Sequence, residues 1–160
     1  MRGVAAAALL LLPLMACGDG DKASDEVAAP VLRQSCPDQG KGMKLSVKLT
    51  TAAPPRTGSN VTWQLILRND GSDSGTIVVP TSQLGDVSLM QSGEEIYRWS
   101  RERTFAQAMQ CFELRAGHAA RLELGDDILE INQGQYEATA TVASQQSPAT
   151  YRGPFTVLPR

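Results

Sequence analysis

Ile96-Tyr97-Arg98-Trp99-Ser100, continued by Phe105-Ala106-Gln107-Ala108 and by Leu114-Arg115-Ala116-Gly117, is the stretch whose reading decides the fold. Tyr97 and Trp99 lie two apart and so share one face of a strand, while Ile96, Arg98 and Ser100 take the other. The aromatic face points to a dry interior. Thr104 then opens a Thr-x-x-Gln pattern ending at Gln107, the signature of an N-cap with its capping box. This predicts a short helical turn near residues 105–110, one side of it covered by Phe105 and Met109. Strand resumes at Cys111, where Phe112 and Leu114 alternate with Glu113 and Arg115, and Ala116-Gly117 supplies a turn.

Working outward, the same period of two recurs on both sides. Leu45, Val47 and Leu49 alternate with polar residues up to Pro54-Pro55. Val61, Trp63, Leu65 and Leu67 make the clearest strand in the chain, and four large side chains on one face describe sheet packing. Asn69-Asp70-Gly71 follows as a tight turn. Thr76 to Val79 and Val87 to Met90 are further strand-like runs, stopped by Pro80 and by Ser92-Gly93. Arg121 to Leu124 alternates again before Gly125-Asp126-Asp127, read as a turn. Tyr136, Ala138, Ala140 and Val142 share a face whose alanines suggest close approach of an opposite sheet. Phe155 and Val157, beside Pro154, suit a short edge strand. Short strands separated by turn residues, with almost no helix, predict an all-β fold, an immunoglobulin-like antiparallel β-sandwich.

The central run resembles the BsuPI family of intracellular proteinase inhibitors, whose members carry a "W-R-W-S, short loop, F-x-Q-A, then L-x-x-G" run in a small all-β domain. Arg98, Trp99, Ser100, Phe105, Gln107, Ala108, Leu114 and Gly117 fall in that order, with Tyr97 in place of the first tryptophan. Upstream, Gly85 stands where an aromatic residue usually precedes Asp86, and Val87 replaces a second aromatic. The likeness spans about residues 43–145, and its motifs read as framework. It implies noncovalent inhibition of a serine (subtilisin-like) protease through an exposed, preorganised loop. Ser100 to Thr104, with Arg101, Glu102 and Arg103, is the candidate partner-contact loop. The alternatives are a solvated charged crossover, and a non-inhibitory immunoglobulin-like module that docks on another envelope protein.

The N-terminus gives a compartment. Met1-Arg2 is a minimal positive region, Val4 to Leu14 an apolar run too short to span a bilayer, and Leu14-Met15-Ala16-Cys17 resembles the lipobox of bacterial lipoproteins. Residues 1–16 then read as a signal peptide, and Cys17 as the lipidated first residue of the mature chain, held on the membrane by two or three acyl chains such as palmitate. The alternative is an ordinary secretory peptide. Gly18 in place of aspartate resembles outer-membrane sorting where the source has an outer membrane, and plasma-membrane anchoring is expected otherwise. Residues 17–42 read as a flexible polar tether giving ~25 Å of stand-off, and residues 43–160 as the domain. Of three cysteines, Cys36 and Cys111 remain after lipidation. They either form a disulfide, as an oxidising envelope permits, or stay thiols with Cys111 a small buried hydrophobe.

Composition narrows the chemistry. The net charge of −2 becomes −3 once residues 1–16, which hold Arg2 and no acid, are removed. A chain of this sign without a basic block lacks the cations that nucleic-acid binding rests on. Two distant cysteines and His118 make no zinc site, and no cofactor fingerprint occurs. Gly71-Ser72-Asp73-Ser74-Gly75 has Asp73 where a nucleophile elbow needs serine. Asp126 and Asp127 are neighbours in sequence that would point to opposite faces of a strand. A binding protein, not an enzyme, is the expectation.

Overall fold

Each segment read as an alternating or β-branched run forms a strand in the computed structural model, which describes residues 27–36, 42–145 and 148–160. Residues 1–16, Cys17 and the Pro37-Asp38-Gln39-Gly40 cluster lie outside the described residues. The strands are β1 (Leu45–Thr51), β2 (Asn60–Asn69), β3 (Gly75–Val79), β4 (Gly85–Gln91), β5 (Glu94–Arg98), β6 (Gln110–Leu114), β7 (Ala119–Ile128), β8 (Gly134–Val142) and β9 (Thr150–Val157). They assemble as a sheet β1-β2-β7, a ribbon β3-β6 and a sheet β5-β4-β8-β9, every pairing antiparallel. The protein is an all-β sandwich of immunoglobulin-like type.

Side-chain parity places the core. Val61, Trp63, Leu65 and Leu67 of β2 are buried, as are Val87 and Leu89 of β4 and Tyr136, Ala138, Ala140 and Val142 of β8. Trp63 spans the interior: its ring lies 5.6 Å from that of Tyr97 and 5.2 Å from that of Phe155, so it reaches strands at both edges of the opposite sheet. Ala138 and Ala140 of β8 are fully buried members of the same core. Tyr97 and Trp99 share the buried face as their spacing requires, while Arg98 between them is exposed. Gly85 is also set by packing. A Cβ there would sit 2.6 Å from Leu65 Cδ1 and 2.7 Å from the Thr141 carbonyl oxygen, which accounts for a glycine at a position where the resemblance expects an aromatic ring.

Three expectations change. Residues 105–110 form no helical turn; residues 103–109 run without helix, turn or bend. Ala106 accepts a hydrogen bond from the Ser82 N–H at 2.9 Å and donates its own N–H to Ser82 Oγ at 2.8 Å. Phe105 packs its ring on Trp99 at 5.6 Å. The Ser82 bonds take the Ala106 carbonyl that a helix would have offered to Gln110, and a single turn has no length over which to recover its nucleation cost. Met109 consequently points outward. Second, Gly125-Asp126-Asp127 is not a turn but the continuation of β7. Gly125, at φ +92°, absorbs a bulge that shifts the register between Trp63 and Gln64. Third, the edge strand is β9, eight residues long.

Residues 27–36, read as part of the tether, lie against the domain. Arg121 donates its N–H to the Ala28 carbonyl at 3.0 Å, and Arg33 and Cys111 exchange two backbone hydrogen bonds of 2.8 Å. The segment is thus a strap reaching from the edge of β7 to the edge of β6. Cys36 and Cys111 are disulfide-bonded across 75 positions, with Cα atoms 5.7 Å apart. Three backbone hydrogen bonds at ~1 kcal/mol each are outweighed by the entropy of ordering a segment of this length. The covalent bridge is what fixes the strap.

Replacing Cys36 by serine should lower stability by about 2–4 kcal/mol and free the strap. Residue-resolved amide exchange then shows Arg33 and Arg121 losing protection while the β2–β7 ladder around Leu65 and Leu122 retains it. Unchanged protection at Arg33 would mean that the backbone bonds suffice alone.

Candidate functional site

The motif residues converge on one carboxylate. Asp86, at the start of β4, accepts hydrogen bonds from the Ser100 N–H at 3.1 Å, from Ser100 Oγ at 2.7 Å and from Arg98 Nη1 at 3.1 Å. Trp99 donates its N–H to the Val87 carbonyl at 2.8 Å, extending the pairing past the end of β5. Arg98 also clamps Glu95 through Nε and Nη2. The hydrogen bond from Arg98, helped by Arg101 and opposed by partial burial, holds the Glu95 carboxyl below its ordinary value of 4.5. Charge-assisted bonds of this type are the stronger ones. Arg98-Trp99-Ser100 therefore anchors the departure of the crossover from β5.

A second network grips the crossover from below. Trp63 Nε1 donates to Tyr97 Oη at 2.8 Å, and Tyr97 Oη donates to Asp127 Oδ2 at 2.7 Å. Burial, and next the Asp127 carboxylate, push the Tyr97 phenol well above its ordinary value. Asp127 forms an ion pair of 3.5 Å with Arg103, whose Nη2 donates to the Asp126 carbonyl at 3.0 Å and whose Nε donates to the Trp99 carbonyl at 2.9 Å. The Arg103 guanidinium also lies over the Trp99 ring, 4.7 Å from its centroid. Trp99 is thus enclosed by Phe105 and Arg103. Asp127 and Asp126 point to opposite sides of β7, the latter accepting from Thr62 Oγ1, so they do not form a carboxylate pair.

These contacts sort the expected loop residues. Arg103 is turned inward as a clasp. Arg101 pairs with Glu95 at 3.0 Å and stays half exposed. Glu102 sits at the tip with φ +67°. Gln107 is exposed and Ala108 half-buried. Leu114 is buried, its carbonyl accepting from Asn69 Nδ2 at 3.3 Å, and Gly117, at φ +73°, donates its N–H to the Asn69 carbonyl at 2.9 Å. Sequence reasoning missed Asp86, Asp127 and Asn69 as organising groups. Asn69 is fully buried and also donates to the Asp73 carbonyl at 2.7 Å. Its only sequence signal was a turn dipeptide.

The model of the family described as BsuPI, intracellular proteinase inhibitor, matches residues 45–147, more than half the chain. The chain belongs to the BsuPI family. The match covers β1 to β8, and the residues of both networks lie within it. No curated protein matches the sequence. Among solved structures, the CARDB domain of a Pyrococcus furiosus protein, in complex with di-metal ions, is 15% identical with a TM-score of 0.39, covering 77% of this chain and 100% of that one. β-Glucosidase 3B of Thermotoga neapolitana, in complex with glucose, is 16% identical with a TM-score of 0.39, covering 72% of this chain and 16% of the glucosidase.

Tyr97→Phe leaves the Trp63 N–H and the Asp127 carboxylate short of a partner, and should cost about 1–3 kcal/mol in denaturant unfolding. A change smaller than the error of that measurement would show the link to be dispensable. Glu95 gives a pH dependence. Its folded value is depressed, so its contribution is whole above the unfolded value near 4.5 and is lost as pH falls through the folded value. Glu95→Gln should therefore be less stable than the parent at about pH 7, with the gap closing toward about pH 3; a gap of constant size would contradict the assignment.

Proposed function

We propose that this BsuPI domain inhibits a subtilisin-like serine protease without forming a covalent bond, and that the chain carries it as a lipoprotein anchored through Cys17 to the bacterial cell envelope. The observation that carries the inhibitory reading is the double bracing of the crossover, by Asp86 at its start and by Asp127 through Arg103. A loop already held in shape loses little conformational freedom when a protease closes on it. The Cys36–Cys111 bridge suits an oxidising compartment outside the cytosol, and the Leu14-Met15-Ala16-Cys17 lipobox supports the anchor. In this reading Arg101 and Glu102 meet the protease directly, while Arg103 acts from behind the loop.

Titration of a subtilisin-like protease with the protein tests this. Stoichiometric inhibition is expected. Arg101→Ala should weaken it modestly, within about tenfold, as loss of an exposed charge contact does. Arg103→Ala should weaken it more and also lower the thermal midpoint, because it opens the clasp. No inhibition by folded protein would replace the inhibitory reading with that of a module docking on another envelope protein.

A further inference from the structure

Between the clasp and β6 lies a stretch that neither network occupies. Among the described residues, no hydrogen bond engages the backbone of Gln107, Ala108 or Met109. Three consecutive residues thus offer free N–H and C=O groups on a path with no helix, turn or bend, and none of them has positive φ. Both ends are fixed. Upstream, Ala106 is bonded to Ser82 through donor and acceptor; downstream, Gln110 pairs with Val79, and Cys111 is tied to Cys36. Met109, an unbranched apolar side chain, is 50% exposed at the end of this stretch.

We infer that Gln107-Ala108-Met109 is the segment with which the inhibited protease pairs, and that Met109 fills an apolar specificity pocket of its cleft. The assignment rests on the inhibitory reading above and deepens it. A serine protease of this class binds peptides as extended strands added to its own strand edges, taking affinity from backbone hydrogen bonds and selectivity from side-chain pockets. An unpaired, straight segment supplies the first and Met109 the second. Methionine's flexible thioether adapts to such a pocket without polar cost. Held ends keep the segment extended before binding. The charged tip at Arg101 and Glu102 then flanks the cleft rather than entering it.

The test titrates a subtilisin-like protease with the full chain in detergent, alongside Met109→Asp, Met109→Leu and Val31→Asp, the last altering an equally apolar but more exposed residue on the strap. Met109→Asp is expected to weaken inhibition about a hundredfold or more, as burying an unpaired charge does, while Met109→Leu and Val31→Asp remain within about threefold of the parent. Inhibition by Met109→Asp equal to the parent overturns the assignment and leaves the inhibitory reading standing. Absence of inhibition by the parent overturns both. Should Met109→Asp unfold, amide exchange of the parent with inactivated protease decides: residues 107–109 gain protection if they pair with it, and unchanged exchange at all three sinks the assignment.

Discussion

The hydrogen bond from Trp63 to Tyr97, passed on to Asp127, is the contact on which the rest of the arrangement depends. Trp63 belongs to β2, Tyr97 to β5 and Asp127 to β7, so the relay ties both sheets of the sandwich together at one end. In a buried setting each of these bonds is stronger than in water, and each partner is costly to leave unmade. Tyr97 satisfies an indole donor and a carboxylate at once. Because Asp127 is fixed from inside, it can hold Arg103, and Arg103 in turn covers Trp99. A loop that would otherwise be a solvated crossover inherits the rigidity of the core.

Much of this was legible as side-chain period. The parity of Val61, Trp63, Leu65 and Leu67, and of Tyr97 and Trp99, named the inner faces correctly because a one-residue slip would expose a whole buried set. What failed depended on partners distant in sequence. The Thr104–Gln107 capping box is a local signal, and Ser82, more than twenty positions upstream, supplied better bonds to the same backbone. Gly125 reads as a turn until its opposite residue, Trp63, shows a bulge. The strap has no periodic pattern at all, since its place is set by two sheet edges and a covalent bond rather than by an apolar face.

The family motif illustrates a related limit. Arg98, Ser100, Leu114 and Gly117 were read as framework, and the structure gives each a bonding partner that shapes the crossover or the turn after β6. Large and charged residues in such a motif attract functional interpretation, yet here they are spent on geometry. The charged pair Arg101 and Arg103 looked equivalent in sequence. Asp127 separates them, because its carboxylate, already fixed by Tyr97, captures one guanidinium and leaves the other to Glu95 at the surface.

Cys111 joins these threads. It stands two residues beyond Met109, begins the buried part of β6, and carries the bridge to the strap. In the lipid-anchored form proposed above, a pull along the N-terminal chain meets the strap's hydrogen bonds at Ala28 and Arg33 before it reaches Cys36, where the disulfide delivers it to β6. Force therefore arrives at the fixed end of the exposed segment, not at the crossover tip. A strap held by three backbone hydrogen bonds alone would peel away under that load and leave the sheet edges of β6 and β7 open. With the bridge in place, the load is shared by β6 and its partner β3, whose side chains Ile77, Val78 and Val79 are buried. The β3–β6 pairing thereby anchors the downstream end of residues 107–109.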